Sequence, residues 1–286
     1  VNSAVEAMAR GAYYYLPKPI KLHELKVLIE KALEKNMLRR EVSELKQKIM
    51  AKKGVTKFVG HNEKILKLKD DITTFSQLDC NVLIVGETGT GKELVARTIY
   101  ELSPRSNKRF MPVNCAALSE ELVLNELFGH EKGSFTGAER RKIGKFEMAH
   151  QGVLFLDEIG DMSFSLQAKL LHVLQSGEFA PLGSERDVKT DTWVIAATNN
   201  ELEKNIKTGN FREDLYYRLN VFPIHLPPLR ERKDDIPLLV KHFVQKYSTK
   251  IGKPIEKIPK KVMDRLQQYH WPGNVRELEN IIERAV

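Results

Sequence analysis

From about residue 56 to residue 230 the apolar positions fall into short unbroken runs, separated by stretches in which they recur every three or four residues. The runs cover 81–85, 110–113, 153–156, 192–197 and 221–226. They are too short for helices and lack the alternation of a strand with one wet face. Strands covered on both sides read this way, so the pattern predicts a parallel α/β sheet with helices on each face. Pro227-Pro228 breaks the pattern. Three helical stretches follow, near 234–249, 259–269 and 274–285, with no strand between them. They predict a small all-helical domain packed on the larger one.

The first 55 residues follow another pattern. Val5, Met8 and Ala9 stand at helical spacing, Gly11 stops the helix, and an apolar run from Ala12 to Leu16 is closed by Pro17-Lys18-Pro19. A second helix is expected from about Leu22. Leu38, Val42, Leu45 and Ile49 then form a seam of nearly two heptads flanked by Lys, Arg and Glu. The seam fits a linker helix that pairs with its twin, or a lone amphipathic helix lying on its own domain. Residues 51–60 are polar and end in Gly60, which puts a boundary near 55. Val1 opens the chain within a helical pattern, so the sequence reads as a piece of something longer.

Composition narrows the class without naming it. Hydrophobic residues make up 42% and charged residues 29%, the mix of a water-soluble globular protein. No apolar run approaches the roughly 20 residues needed to cross a bilayer, and no signal peptide opens the chain. Cys80 and Cys115 lie far apart, outside any CxxC spacing, which suits reduced thiols in a cytoplasmic protein. The eight histidines show no pair at metal-ligand spacing. The net charge of +8 is compatible with nucleic acid, but Lys and Arg are interleaved with acids along the whole chain, so charge alone leaves DNA binding open.

The chemistry concentrates after the expected strands. Gly86-Glu87-Thr88-Gly89-Thr90-Gly91-Lys92 follows an apolar run and opens a helix, the setting a phosphate-binding loop requires. Its glycines let backbone N–H groups surround an anion, the helix N-terminus adds partial positive charge, and Lys92 supplies a point charge for β- and γ-phosphates. Glu93 stands where Ser or Thr usually holds Mg²⁺, so Thr90, Asp157 or water must share that ligation. A second run ends in Asp157-Glu158, which puts two carboxylates at the mouth of the sheet. Asp157 suits Mg²⁺ held through water, and Glu158 suits the orientation and deprotonation of an attacking water. Asn199 ends a third run, where it can sense a γ-phosphate or simply make a turn. Arg212 and Arg218 lie six apart on a short expected helix. They serve their own subunit if they lie near the loop, a neighbour's site if they point outward, or only surface ion pairs. Arg276 opens the last helix, from where it can reach bound nucleotide when the two domains close.

Assembled, these residues resemble the central domain of the sigma-54-dependent transcription activators, the bacterial enhancer-binding proteins of the AAA+ class. The resemblance covers roughly residues 57–286. GETGTGKE, with Glu93, matches that family's own phosphate loop. Asn114-Cys115-Ala116-Ala117-Leu118 also matches, and implies that Asn114 contacts Glu158 and switches it between nucleotide states. Gly133-Ser134-Phe135-Thr136-Gly137-Ala138 is similar to the family's GAFTGA loop, with Ser134 in place of Ala and the sigma-54-touching pair Phe135 and Thr136 intact. By the same resemblance Asn199 is sensor I, Arg212 and Arg218 are fingers reaching a neighbour's ATP, and Arg276 is sensor II. Gly11 to Pro19 resembles the final strand of a response-regulator receiver domain, with Tyr15 as its aromatic switch and Lys18 as its phosphate-sensing lysine.

The resemblance implies a receiver remnant at 1–36, a linker at 37–55, an AAA+ nucleotide-binding domain at 56–230 and a helical lid at 231–286. It implies an ATPase using ATP and Mg²⁺ that remodels sigma-54 RNA polymerase under two-component control. Its expected assembly is a dimer when held off and a hexamer or heptamer ring when active, with enhancer DNA bound through a C-terminal domain beyond Val286. Two other readings stand beside it: a general AAA+ protein remodeller, and a DNA-binding regulator with a vestigial nucleotide site.

Overall fold

The computed structural model describes residues 58–286, apart from 117–118, 136–137, 253–254 and 256–257, together with Leu25. The receiver-like segment and the seam Leu38, Val42, Leu45 and Ile49 lie outside the described residues, but for Leu25, as do Thr136 and Gly137 of the loop. The chain divides into two units at Val55/Thr56, and the second is described here.

Five strands form one parallel sheet: β1 Val82–Val85, β2 Phe110–Asn114, β5 Val153–Asp157, β8 Trp193–Thr198 and β9 Phe222–His225. Their order is β2-β5-β8-β1-β9, and every neighbouring pair is parallel. The three strands β1, β5 and β8 are buried almost throughout, as their unbroken apolar runs predict. Helices cover the sheet: α1 Glu63–Phe75, α2 Lys92–Leu102, α3 Glu120–Phe128, α4 Lys145–Met148, α5 Phe164–Ser176, α6 Leu202–Lys207 and α7 Glu213–Leu219. Asn62 caps α1 by accepting from the Lys64 amide, and Ser163 caps α5 by accepting from the Leu166 amide. Leu154, Leu156, Val194 and Ala196 share the main core with Leu127, Phe146, Leu166, Leu170 and Leu215.

Two small hairpins, absent from the strand pattern, project from this body. In one, β3 (Gly129–His130) pairs with β4 (Lys142–Ile143) and carries the Phe135 loop between them. In the other, β6 (Glu178–Phe179) pairs with β7 (Val188–Lys189). Strands two residues long leave no periodicity to read. Leu182 joins the hairpins: its N–H donates to Gly129 O at 3.0 Å, and its carbonyl accepts from the Glu131 N–H at 3.0 Å.

The C-terminal part is all helical: α8 Ile236–Ile251, α9 Lys260–Gln268 and α10 Asn274–Ala285. Pro237 sits in the first turn of α8, where its missing N–H costs nothing, and Gly252 closes the helix in the left-handed region. Trp271, Phe243, Leu278 and Ile282 make a second core, and the buried Trp271 ring donates Nε1–H to Leu266 O at 2.7 Å. This is the expected α/β sheet with a small helical lid.

Candidate active site

The carboxyl ends of β1, β5 and β8 lie side by side, and each carries one element of the site. After β1 the chain turns through Gly86–Gly91 into α2. Gly89 and Gly91 take φ of 80° and 107°, values that favour glycine, and Thr90 closes the turn by donating Oγ1–H to Glu87 O at 2.7 Å. Lys92 is buried at the start of α2, and its ammonium donates to Gly86 O at 3.0 Å and to Glu158 Oε1 at 3.3 Å.

After β5 come Asp157 and Glu158. Glu158 takes φ 53°, ψ 50°, a left-handed conformation that costs a non-glycine residue about 1–2 kcal/mol. Such strain persists where the surroundings fix it. Here they do: the Glu158 N–H donates to Asp157 Oδ1 at 3.1 Å, Lys92 holds one carboxylate oxygen, and the Asn199 N–H donates to the other at 3.0 Å. Asn199 follows β8 and reaches the loop with its amide Nδ2, 3.1 Å from Thr88 Oγ1. Burial, with the charge of Glu158 beside it, pushes the Asp157 carboxyl above the usual carboxylate range. Asn114 stands opposite Asp157 in the β2–β5 register, and its Oδ1 accepts from the Ala116 N–H at 2.9 Å.

Thr88 to Lys92, Asn114, Asp157 and Glu158 line one cavity of about 610 Å³ between the sheet and the lid. Phe58, Val59, Leu239 and Phe243 line it as well. Arg276 lines it from α10, and its backbone N–H donates to Gly89 O at 3.2 Å. Glu93 also lines the cavity, and its carboxylate pairs with Arg97 at 2.8 Å, one helical turn on. Among the described residues no three His, Cys, Asp or Glu side chains converge on a metal position. A divalent cation held here by Asp157 would need its other ligands from phosphate oxygens and water, as Mg²⁺ accepts. Two adjacent carboxylates, one half-buried, are a donor set that fits it.

Neither Arg212 nor Arg218 lines the cavity. Arg212 caps α7, pairs with Asp214 at 2.8 Å and lies over the Phe164 ring, while Arg218 donates through Nε and Nη2 to Leu174 O at 3.1 and 2.7 Å. The Phe135 loop lies elsewhere too, on the β3–β4 hairpin. Phe135 is 45% exposed and its ring meets the buried His130 ring edge to face at 4.9 Å. Gly133 N–H donates to Ala138 O at 2.8 Å and closes the base of the loop.

Sequence reasoning missed three residues at this site. Arg232 is buried against the cavity and donates Nη2–H to Thr90 O at 3.2 Å. Arg230 forks onto Glu87 at 2.6 and 2.8 Å and, by that hydrogen bonding, holds the Glu87 carboxyl below its usual range. Asn274 reaches Glu87 and Thr88 from α10. These partners are more than 140 positions from the loop in sequence, so no local motif announces them.

Sheet order, phosphate loop, acid pair and helical lid together define an AAA+ P-loop NTPase. Residues 58–225 match the sigma-54 interaction domain and residues 230–286 the AAA+ ATPase lid domain. The chain belongs to the family of sigma-54-dependent activators. It is 46% identical over 286 residues to the DNA-binding transcriptional regulator NtrC of Azospirillum brasilense, covering 99% of this chain and 58% of that protein. To the formate hydrogenlyase transcriptional activator FhlA of Escherichia coli K12 it is 54% identical over 228 residues, 80% of this chain and 33% of that protein. The chain therefore spans less than two thirds of these relatives. The crystal structure of NtrX from Brucella abortus in complex with ADP superposes with a TM-score of 0.75 at 39% identity, covering 99% of this chain and 60% of that one. Hsp104 shares the fold alone, with a TM-score of 0.59 at 18% identity over 85% of this chain and 47% of that one. No described helix is long and apolar enough to cross a membrane.

Proposed function

We propose that this chain binds ATP with Mg²⁺, hydrolyses it in a ring of its own copies, and uses the cycle to press Phe135 and Thr136 against sigma-54 in the closed RNA polymerase complex. The observation that carries the chemistry is the linked set Lys92, Glu158 and Asn199, the first two of which line the cavity. The relatives named as transcriptional regulators, and NtrX crystallised with ADP and with ATP, support the reading.

In the chain as it stands, Lys92 neutralises Glu158. Phosphate oxygens compete for the same ammonium, and when Lys92 turns to them the Glu158 carboxylate is released to take a proton from water. Asp157 would hold Mg²⁺, which would supply charge neutralisation at the γ-phosphoryl group. Asn199 keeps Glu158 aimed through its backbone N–H and reports to the loop through Thr88. Asn114, opposite Asp157, switches Glu158 between nucleotide states. Arg276 follows the phosphates from the lid, and Arg212 and Arg218 complete the site of the neighbouring subunit. A dimer is the resting form, and control by a phosphorelay, cytoplasmic location and contact with enhancer DNA outside residues 1–286 belong to the same reading.

Phe135→Ala tests the output. ATP hydrolysis should stay within a few-fold of normal, while binding to sigma-54 in ADP–aluminium fluoride and open-complex formation are both lost. A variant that still opens the promoter would return the reading to a general AAA+ remodeller.

A further inference from the structure

We infer that Asn274, together with the Glu87–Arg230 pair, is a latch that fastens the helical lid to the phosphate loop, so that Asn274 acts as a positioning residue for the nucleotide. The inference rests on the reading that this cavity takes ATP.

Asn274 is fully buried and takes φ 52° at the first position of α10. A left-handed asparagine is tolerated more readily than most side chains, and here its amide is used on both sides. Oδ1 accepts from the Leu229 N–H at 2.8 Å, at the start of the hinge between sheet and lid, which is made of the short turns Leu229–Glu231 and Lys233–Asp235. Nδ2 donates to Thr88 O at 3.0 Å and to Glu87 Oε2 at 3.1 Å, both in the phosphate loop. Both N–H donors of the amide are therefore spent on the loop and its acceptor on the hinge. Glu87 is gripped from the other side by the bidentate Arg230 fork, carried on the same hinge.

Backbone contacts extend the latch. The Val275 and Arg276 N–H groups, at the start of α10, donate to Gly89 O at 3.0 and 3.2 Å. Gly89 approaches the lid so closely that a Cβ would lie 2.3 Å from Gly273 O. Arg232 takes the next carbonyl, that of Thr90, at 3.2 Å. Residues 87 to 90, the part of the loop that must curl round phosphate, are thus each tied to the hinge or lid. Opening the lid frees these carbonyls and the Glu87 carboxylate at once, and the loop loses the partners that fix its shape. Lid closure and loop shape are one equilibrium, and ATP binding draws on it.

Affinity for a fluorescent ATP analogue, measured alongside the thermal midpoint of the same samples, tests this. Glu87→Gln and Arg230→Gln change side chains that are each 43% exposed, so the fold tolerates both. Each should weaken binding about 5-fold or more, the lower range of allosteric couplings, with the midpoint little changed. The double variant should bind no more weakly than the worse single one, because both remove the same link. Asn274→Asp, which points an acceptor at Thr88 O and a second charge at Glu87, should weaken binding further. If Asn274→Asp fails to fold, the Glu87 and Arg230 cycle decides alone. Unchanged affinity, strictly multiplicative losses in the double variant, or a lowered midpoint with normal affinity in the folded fraction overturns the latch. A parent protein that does not bind the analogue would instead sink the ATP reading itself.

Discussion

At the scale of single residues the site is organised round one ammonium. Lys92 is 6% exposed and sits between Gly86 O and the Glu158 carboxylate, so removing either charge unbalances a buried pair. Glu158→Gln should retain ATP binding while hydrolysis falls about 10²-fold or more, the loss expected of a general base, as read by filter binding and phosphate release. Lys92→Ala should lose binding as well, because Lys92 is the cation that the phosphate loop itself carries into the cavity, hydrogen-bonded to Gly86 O. Near-normal turnover in Glu158→Gln would remove it from the role of base. The identities of these residues were legible in the sequence, since glycine, lysine and paired acids after apolar runs are constrained by backbone geometry. The left-handed turn at Glu158 was not, because a non-glycine residue there obeys its neighbours, here the Lys92 ammonium and the Asn199 amide, and not its own preference.

At the scale of elements, the five long strands were legible to within a residue or two, because burial on both faces writes a continuous apolar run. The hairpins were not, because β3, β4, β6 and β7 are held by turns and by the Leu182 bridge and carry no pattern of their own. Ser134 shows how closely they meet. Its Oγ is buried without a hydrogen-bond partner, and a Cβ on Gly183 would come within 2.6 Å of the Ser134 Cβ. An unsatisfied hydroxyl costs about 1–3 kcal/mol, so Ser134→Ala should leave the thermal midpoint unchanged or raise it by a few degrees in calorimetry. The same change should not reduce sigma-54 binding, because Phe135 keeps its contact with His130. A clear fall in the midpoint would mean that Ser134 makes a contact that stabilises the loop.

At the scale of the whole molecule, Arg212 and Arg218 remain outside the cavity of their own subunit, with Arg218 exposed on α7. If they complete a neighbour's site, Arg212→Ala and Arg218→Ala should each cut turnover about 10³-fold or more. Mixing either with Lys92→Ala should then restore some hydrolysis at interfaces that combine the intact halves. Mixtures that co-assemble, shown by sedimentation, yet stay inactive would refute a shared site. Contacts across such distances were never in reach of local patterns, and the lid's hold on the loop was hidden for the same reason. Another joint ties the start of α1 to the residues just before α8. The buried Asp235, in the hinge, accepts the His61 and Asn62 N–H groups at 2.7 and 2.9 Å, and Phe58 just before them walls the nucleotide cavity. A substitution at Phe58 or His61 should therefore be felt at the cavity wall and at Asp235 without passing through the sheet.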